Sequence, residues 1–163
     1  MHIIFSHGKE SGPWGSKIRY LAEIAGRYGK VSSIDYQDLA EPDLRVKRLH
    51  NHIEHPHHTL LVGSSMGGYV SAVVAQQTPV AGLFLLAPAF FLPGYQVQQF
   101  RPVSTPQWVV HGWRDDVIPF SHSVRYAELQ QCHCHLLDGE HRLNSALGDI
   151  GQLFEQCLRQ LSL

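Results

Sequence analysis

Residues 59–67 read Thr59-Leu60-Leu61-Val62-Gly63-Ser64-Ser65-Met66-Gly67, an apolar run followed directly by the pattern G-x-S-x-G. The apolar run predicts a buried strand, and Met66–Gln77 predicts a helix. The pattern between a strand and a helix predicts a tight turn that exposes the central serine, Ser65. Glycine at both ends lets the backbone close up, because a Cβ there would crowd the facing chain. Such a serine is a candidate nucleophile if a base, an acid and oxyanion donors accompany it.

Two further predicted strands are each followed by a side chain that could complete such a site. The run Gln107–His111 is strand-like and Asp115 follows it, while His135–Leu137 leads into a turn that ends at His141. Because the carboxyl ends of parallel strands meet at one edge of a sheet, we expect Ser65, Asp115 and His141 to meet there. A serine, a histidine and an acid in contact are the groups of nucleophilic acyl transfer.

The order of serine, acid and histidine along the chain is that of α/β-hydrolases. Over most of its length the chain resembles this superfamily, and within it the small capless bacterial serine esterases and thioesterases. That family often carries H-G-x-x-D-x-x-V-P around its acid. Residues 111–119 match this pattern with Asp115 as the acid, although Ile118 stands where valine is usual. Asp116 is the alternative acid.

The oxyanion hole is expected at the N-terminus, where a short strand ends in His7-Gly8. In the family, the backbone N–H groups of the residue after this His-Gly and of the residue after the nucleophile receive the oxyanion. The resemblance therefore implies Lys9 and Met66 as backbone donors. It also implies the mechanism: His141 takes the serine proton, Asp115 orients His141, and water releases the acyl group. No metal or organic cofactor is needed for that chemistry.

Each of these residues also has a plainer interpretation. Only the register of the motif selects Ser65 over Ser64. Asp115 is alternatively a cap for the turn before the next helix, and His141 one of 12 histidines, most of them at the surface. His7-Gly8 is alternatively an ordinary turn after a strand.

The alternation of strands and helices predicts the fold class. We expect strands at Ile3–Ser6, Val31–Tyr36, Thr59–Val62, Leu83–Ala87, Val109–His111 and His135–Leu137. Helices are expected at Ser16–Tyr28, Asp43–Ile53, Met66–Gln77, Ser121–Gln131 and Leu143–Leu161. Apolar strands alternating with helices indicate an α/β fold, a three-layer α/β/α sandwich around a mainly parallel six-stranded sheet. By family analogy the strand order is 2-1-3-4-5-6, in a single α/β-hydrolase domain over residues 1–163 without a separate cap.

Composition excludes several classes of protein. With 163 residues, 44% hydrophobic and 17% charged, the chain suits one globular enzyme domain. The formal net charge is −1, and the sequence contains no run of like charges. A nucleic-acid partner would require a basic stripe, so this class of partner is not expected. No apolar stretch approaches the roughly 20 residues of a membrane span.

Location and assembly follow less directly from the sequence. The first residues already form the strand of the oxyanion motif, so we expect no cleaved signal peptide. The three cysteines, Cys132, Cys134 and Cys157, cannot all pair, and a cytoplasmic location is expected. The oligomeric state is left open.

The substrate side is expected around the interval Pro88–Pro106, where larger relatives carry a cap. The interval is rich in apolar side chains, among them Phe90 and Phe91, and we expect these to face substrate and to favour an acyl chain. Trp14 and Trp113 are expected to flank the mouth. Alternatively, some of these aromatic side chains pack onto the sheet. A shallow, uncapped site predicts a small carboxylic ester or thioester as substrate, with no preference set by the sequence.

Three other functions remain possible on the sequence alone. A metal site is disfavoured, because in an extended Cys132–His135 alternate side chains face opposite ways, and His55–His58 has the character of a surface loop. A non-catalytic hydrolase-fold module for protein binding would be expected to lack part of the triad. A perhydrolase or lyase variant would keep the nucleophile, and no feature selects it.

Overall fold

The computed structural model describes residues 1–163 and contains one six-stranded sheet. Its strands are β1 (His2–Ser6), β2 (Lys30–Ile34), β3 (Thr59–Ser64), β4 (Gly82–Leu86), β5 (Gln107–Gly112) and β6 (His133–Leu137). They lie in the order β2-β1-β3-β4-β5-β6, and every neighbouring pair is parallel. The predicted fold class and strand order are confirmed.

Five helices cover the two faces of the sheet, as a parallel sheet requires. They are α1 (Ser16–Ala25), α2 (Pro42–His52), α3 (Met66–Gln77), α4 (Phe120–Gln130) and α5 (Leu147–Leu161). Side chains alternate along each strand, so Leu61 packs with α2, α3 and α4, whereas Leu60 and Val62 pack with α1 and α5. None of the helices is long and apolar enough to cross a lipid bilayer.

Two helix ends differ from the sequence expectation by more than one residue. Helix α1 stops at Ala25, because the chain tightens into a turn in which the Tyr28 N–H donates to the Ala25 carbonyl over 2.8 Å. Helix α5 begins at Leu147 and not at Leu143. Leu143 has a left-handed φ of 59°, and a short 3₁₀ turn, Asn144–Ala146, precedes the helix.

The segment 88–106 is irregular but fastened at many points. Its Phe100 is buried in the core. The Tyr69 hydroxyl accepts a hydrogen bond from the Val97 N–H over 2.9 Å, and the Asp43 carboxylate accepts one from the Gln96 N–H over 3.0 Å. The Tyr69 hydroxyl in turn donates to Asp43 over 2.6 Å. These bonds fix the segment onto α2 and α3.

Candidate active site

Ser65 occupies the strained turn between β3 and α3. Its φ of 54° and ψ of −116° lie in a region that residues with a side chain rarely adopt. A Cβ on Gly63 would collide with the Gly67 carbonyl, and one on Gly67 with the Ser6 carbonyl. The Ser65 N–H donates to the Leu86 carbonyl over 2.9 Å. The backbone around the turn therefore leaves the Ser65 conformation no alternative.

The structure brings Ser65, His141 and Asp115 together at the carboxyl edge of the sheet. The Ser65 Oγ lies 3.1 Å from His141 Nε2, and His141 Nδ1 lies 2.7 Å from Asp115 Oδ2. With the Nδ1 proton donated to the carboxylate, Nε2 is free to accept the serine hydroxyl proton. The histidine bonds to Ser65 and not to Ser64, and to Asp115 and not to Asp116, which is exposed.

Asp115 accepts four hydrogen bonds although its side chain is fully buried. Its Oδ1 accepts the N–H groups of Val117 and Ile118 over 2.9 and 2.8 Å. Its Oδ2 accepts from His141 and, over 2.9 Å, from Nε2 of His111. Burial alone would raise the pKa of the Asp115 carboxyl, but the hydrogen bonds from Ile118, His141 and Val117 outweigh it and hold that pKa below its usual value.

His111, at the end of β5, is a site residue to which the sequence analysis assigned no role. It is fully buried, and its Nε2 also lies 3.0 Å from the Ile118 carbonyl, so that nitrogen carries the proton. Its Nδ1 then accepts the Ser123 hydroxyl over 2.7 Å. Burial lowers the pKa of His111, in keeping with a neutral ring. The available signal was its place in H-G-x-x-D, four residues before the acid.

Glu140 fixes the loop that carries His141. Its carboxylate accepts the backbone N–H groups of Arg142, Leu143 and Asn144 over 2.9, 3.0 and 2.9 Å. The Arg142 and Asn144 N–H groups have no other acceptor, whereas the Leu143 N–H also donates to the Glu140 carbonyl over 3.1 Å. The loop therefore has a side chain of its own that holds His141 at the sheet edge.

Lys9 and Met66 both have backbone N–H groups free of internal acceptors. Lys9 follows β1, and its N–H donates to no group of the protein. Met66 is the first residue of α3, where no carbonyl of the same helix is within reach. Lys9 lines the cleft that contains Ser65 and His141, while the Met66 side chain is buried in the core.

A cleft of about 670 Å³ opens above Ser65 and His141. Of its 21 lining residues only five are hydrophobic: Ile18, Leu92, Tyr95, Val117 and Ile118. Six of the others are charged, with both signs present: Lys9, Lys17 and Arg142, and Glu10, Asp116 and Glu140. Most lining residues are therefore polar, charged or glycine, although carbon atoms contribute the larger part of the exposed lining surface.

Lys17 is a cleft residue to which the sequence analysis assigned no role. Its ammonium donates to the Arg142 carbonyl over 3.1 Å and forms no ion pair with a carboxylate. Burial lowers the pKa of Lys17 to about 8. A lysine on the first turn of a helix carries no sequence signal that separates it from a surface residue.

The aromatic residues expected to bind substrate do not line the cleft. Phe90 is fully buried and stacks on Tyr126 with ring centroids 4.1 Å apart, so it is a core residue. Phe91 is half-buried beneath the Arg125 guanidinium, which lies 3.9 Å from its ring centroid. Segment 88–106 turns both side chains down onto α4, where they bury apolar surface.

The two tryptophans expected at the mouth are also outside it. Trp113 is half exposed and packs edge-on against Phe120, with ring centroids 4.8 Å apart. Trp14 is 45% exposed in the loop before α1. Leu92 and Tyr95 of segment 88–106 line the cleft in place of the expected aromatic residues. Nowhere in the chain do three His, Cys, Asp or Glu side chains converge as metal ligands.

A parallel sheet with a serine turn after β3 and a hydrogen-bonded Ser–His–Asp arrangement at its edge defines the α/β-hydrolase class. A family model described as an alpha/beta hydrolase domain matches residues 36–160. The chain belongs to the α/β-hydrolase family.

Solved structures agree with this assignment. A hydrolase of the alpha/beta superfamily from Xanthomonas campestris pv. campestris is 31% identical, with a TM-score of 0.86 over 98% of this chain and 97% of that one. Alpha/beta hydrolase domain-containing protein 10 from mouse is 18% identical, with a TM-score of 0.78 over 98% and 90%. Est1E from Butyrivibrio proteoclasticus is 14% identical, with a TM-score of 0.75 over 98% and 87%. The last two show likeness of fold alone. No curated protein matched the sequence.

Proposed function

We propose that this protein is a serine hydrolase that cleaves small carboxylic esters or thioesters through an acyl-enzyme. The observation that carries the proposal is the continuous hydrogen-bonded chain from Ser65 through His141 to Asp115. A nucleophile, a base in contact with it and an acid that orients the base are what such catalysis requires.

In the proposed reaction, Ser65 Oγ attacks the substrate carbonyl carbon while His141 Nε2 takes the hydroxyl proton. The carbonyl oxygen becomes an oxyanion, which accepts the N–H groups of Lys9 and Met66. Asp115 stabilises the imidazolium. Collapse of the tetrahedral intermediate breaks the bond to the alcohol or thiol, which leaves with the proton from His141. Water then attacks the acyl-enzyme by the same roles and releases the acid.

The residues that line the cleft support the proposed substrate class. Only five of the 21 are hydrophobic, and a long acyl chain would lie beside charged side chains such as Lys17 and Glu140. Small substrates with polar groups on the acyl or leaving side suit the cleft better. This replaces the expectation from Phe90 and Phe91, whose side chains lie elsewhere. Assays with both substrate types distinguish an esterase from a thioesterase.

The alternative from a different class is a non-catalytic hydrolase-fold module that binds proteins. Such a module has no need of a buried carboxylate with four donors or of a strained serine. Both are present here, together with a base in contact with the serine. We therefore place catalysis ahead of binding.

The first experiment is labelling with a fluorophosphonate probe, followed by mass mapping of the modified residue. We expect the adduct on Ser65, none in Ser65→Ala, and normal labelling in the matched control Ser64→Ala. On a short-chain ester, Ser65→Ala should lose on the order of 10⁶ in kcat and Asp115→Asn appreciably less. Folded wild-type protein without an adduct would favour the binding module, and full activity in Asp115→Asn with none in Asp116→Asn would refute the assigned acid.

A further inference from the structure

Arg45 on α2 is the largest side chain that is fully buried, with 1% of its surface exposed. Its guanidinium forms no ion pair with a carboxylate. It donates only to backbone carbonyls: Nε to Leu39 over 2.8 Å, and Nη1 to Gly8 and His7 over 3.1 and 3.3 Å. A cation in the interior without an anion is costly, and burial lowers the pKa of Arg45. A buried cation kept at this cost is a candidate for a functional role.

The carbonyl that Arg45 contacts belongs to the peptide that joins Gly8 to Lys9. The same Gly8 carbonyl accepts a second hydrogen bond, from His7 Nδ1 over 2.7 Å. His7 Nε2 accepts the Tyr36 N–H over 2.9 Å, so the ring is neutral and its proton lies on Nδ1. Two fixed donors therefore hold this one carbonyl oxygen from the side of the core.

Because the peptide bond is planar, fixing the Gly8 carbonyl also fixes the direction of the Lys9 N–H. The chain has no cis peptide bond, so the Lys9 N–H points opposite to the Gly8 carbonyl, away from Arg45. This N–H has no acceptor in the protein. A Cβ placed on Gly8 would lie 3.5 Å from the Ser65 Cβ, so the peptide lies beside the serine. With the carbonyl held on the core side, the N–H is presented to the cleft.

We propose that Arg45 is a positioning residue that orients and polarises the Gly8–Lys9 peptide for the oxyanion. The proposal deepens the proposed function and rests on it. A guanidinium N–H on the carbonyl draws electron density from the peptide, which makes the Lys9 N–H a stronger donor. Arg45 thus acts on the transition state without touching substrate.

The test uses Arg45→Met and Arg45→Lys, with Arg48→Met as the matched control on the same helix. Arg48 pairs with Asp38 near the surface and contacts neither His7 nor Gly8. For a short-chain ester we expect kcat of Arg45→Met to fall about 10- to 100-fold. Removing an oxyanion donor outright typically lowers kcat by about 10²–10³. The loss should be smaller here because the Lys9 N–H is displaced but still present. KM should change less than about threefold, and a trifluoromethyl ketone that forms an anionic serine adduct should bind more weakly by the same factor as kcat. Arg45→Lys should recover part of both, and Arg48→Met should match wild type.

A purely structural role would give a different pattern. Folded Arg45→Met with a lowered melting temperature but unchanged kcat and adduct affinity would overturn the proposal. If both Arg45 variants fail to fold, the wild-type protein still tests the step on which the proposal depends, the hydrogen bond from the Lys9 N–H to the oxyanion. The Lys9 amide proton, followed by NMR, should move downfield when the ketone adduct forms, and an unmoved signal would overturn the proposal. Absence of any Ser65 adduct in wild type would instead refute the proposed function.

Discussion

At the scale of single residues, His111 shows how the acid is held by a side chain that touches no substrate. It fills the fourth donor position on Asp115 and is itself bonded to Ser123. A buried carboxylate that loses a donor is left with an uncompensated lone pair, at about 1–3 kcal/mol. The histidine of the H-G-x-x-D segment therefore supports the acid as well as ending a strand.

We expect His111→Leu to lower the free energy of unfolding by about 1–3 kcal/mol and to reduce kcat/KM by about tenfold, since Asp115 loses a donor. His111→Gln can return a donor at the position of Nε2 and should keep most of both. Urea unfolding and ester kinetics measure the two quantities. Equal losses in the two variants would show that packing, and not the hydrogen bond to Asp115, is what His111 supplies.

Ser65 holds a backbone conformation that suits glycine better than serine. We expect Ser65→Gly to be more stable than Ser65→Ala by about 1 kcal/mol, because strain of this kind costs about 1–3 kcal/mol and glycine relieves it at some cost in chain entropy. Both variants should be inactive. Thermal unfolding of the pair compares them directly, and a less stable glycine variant would mean that the turn stores little strain.

At the scale of elements, segment 88–106 is held by side chains of the helices beneath it. The Tyr69 hydroxyl joins the Asp43 carboxylate to the Val97 N–H in one network. Gln76 on α3 both donates to the Arg101 carbonyl and accepts its N–H, over 2.9 and 3.1 Å. The segment is thus part of the packed structure, although it has no helix or strand of its own.

Tyr69→Phe removes the hydroxyl and leaves the Val97 N–H unpaired. We expect amide hydrogen exchange in residues 92–101 to speed up at least tenfold while exchange in β3 stays unchanged, because a lost buried hydrogen bond is worth about 1–3 kcal/mol. The control is Tyr95→Phe, since the Tyr95 ring packs edge-on against Tyr69 but its hydroxyl bonds to nothing in the protein. A similar response from both variants would assign the effect to ring packing.

The sequence predicted strands best where both faces of the strand are buried. The apolar runs of β3 and β4 face helices on both sides, so composition alone marks them. The proximity of Ser65, Asp115 and His141 was predictable because each follows a strand of one parallel sheet. Phe90 and Phe91 were misplaced because tertiary packing, and not the residue type, decides which way a loop turns its aromatic rings. Lys17 and Arg45 were missed because a cation on a helix gives no sign of being buried.

At the scale of the whole molecule, the buried histidines make stability depend on pH. His7 and His111 are 1% and 0% exposed, and burial is the main cause that lowers the pKa of each below the usual 6.5. Between the folded pKa and 6.5 the unfolded chain binds more protons than the folded one. The stabilising contribution is therefore complete above about pH 6.5 and is lost as pH falls through the folded values.

We expect the urea midpoint to change little near pH 7 and to decrease steadily below about pH 6.5. Asp115 adds a second loss at lower pH, because its pKa is below the usual 3.8 and its contribution disappears as pH falls through the folded value. His111→Gln should flatten the first decline, whereas the exposed His57→Gln should leave it unchanged. A midpoint that rises on mild acidification would contradict this account.

The fastening of segment 88–106 also bears on the speed of turnover. Asp43, Tyr69 and Gln76 hold the segment down, and we therefore expect substrate to enter and product to leave without movement of this wall. Lid motions set the pace of many enzymes. For the proposed hydrolase we expect bond making and breaking to be the slow step instead. Changes in solvent viscosity should then leave kcat unchanged. Substrates with better leaving groups should have a higher kcat, up to the point at which deacylation becomes rate-limiting.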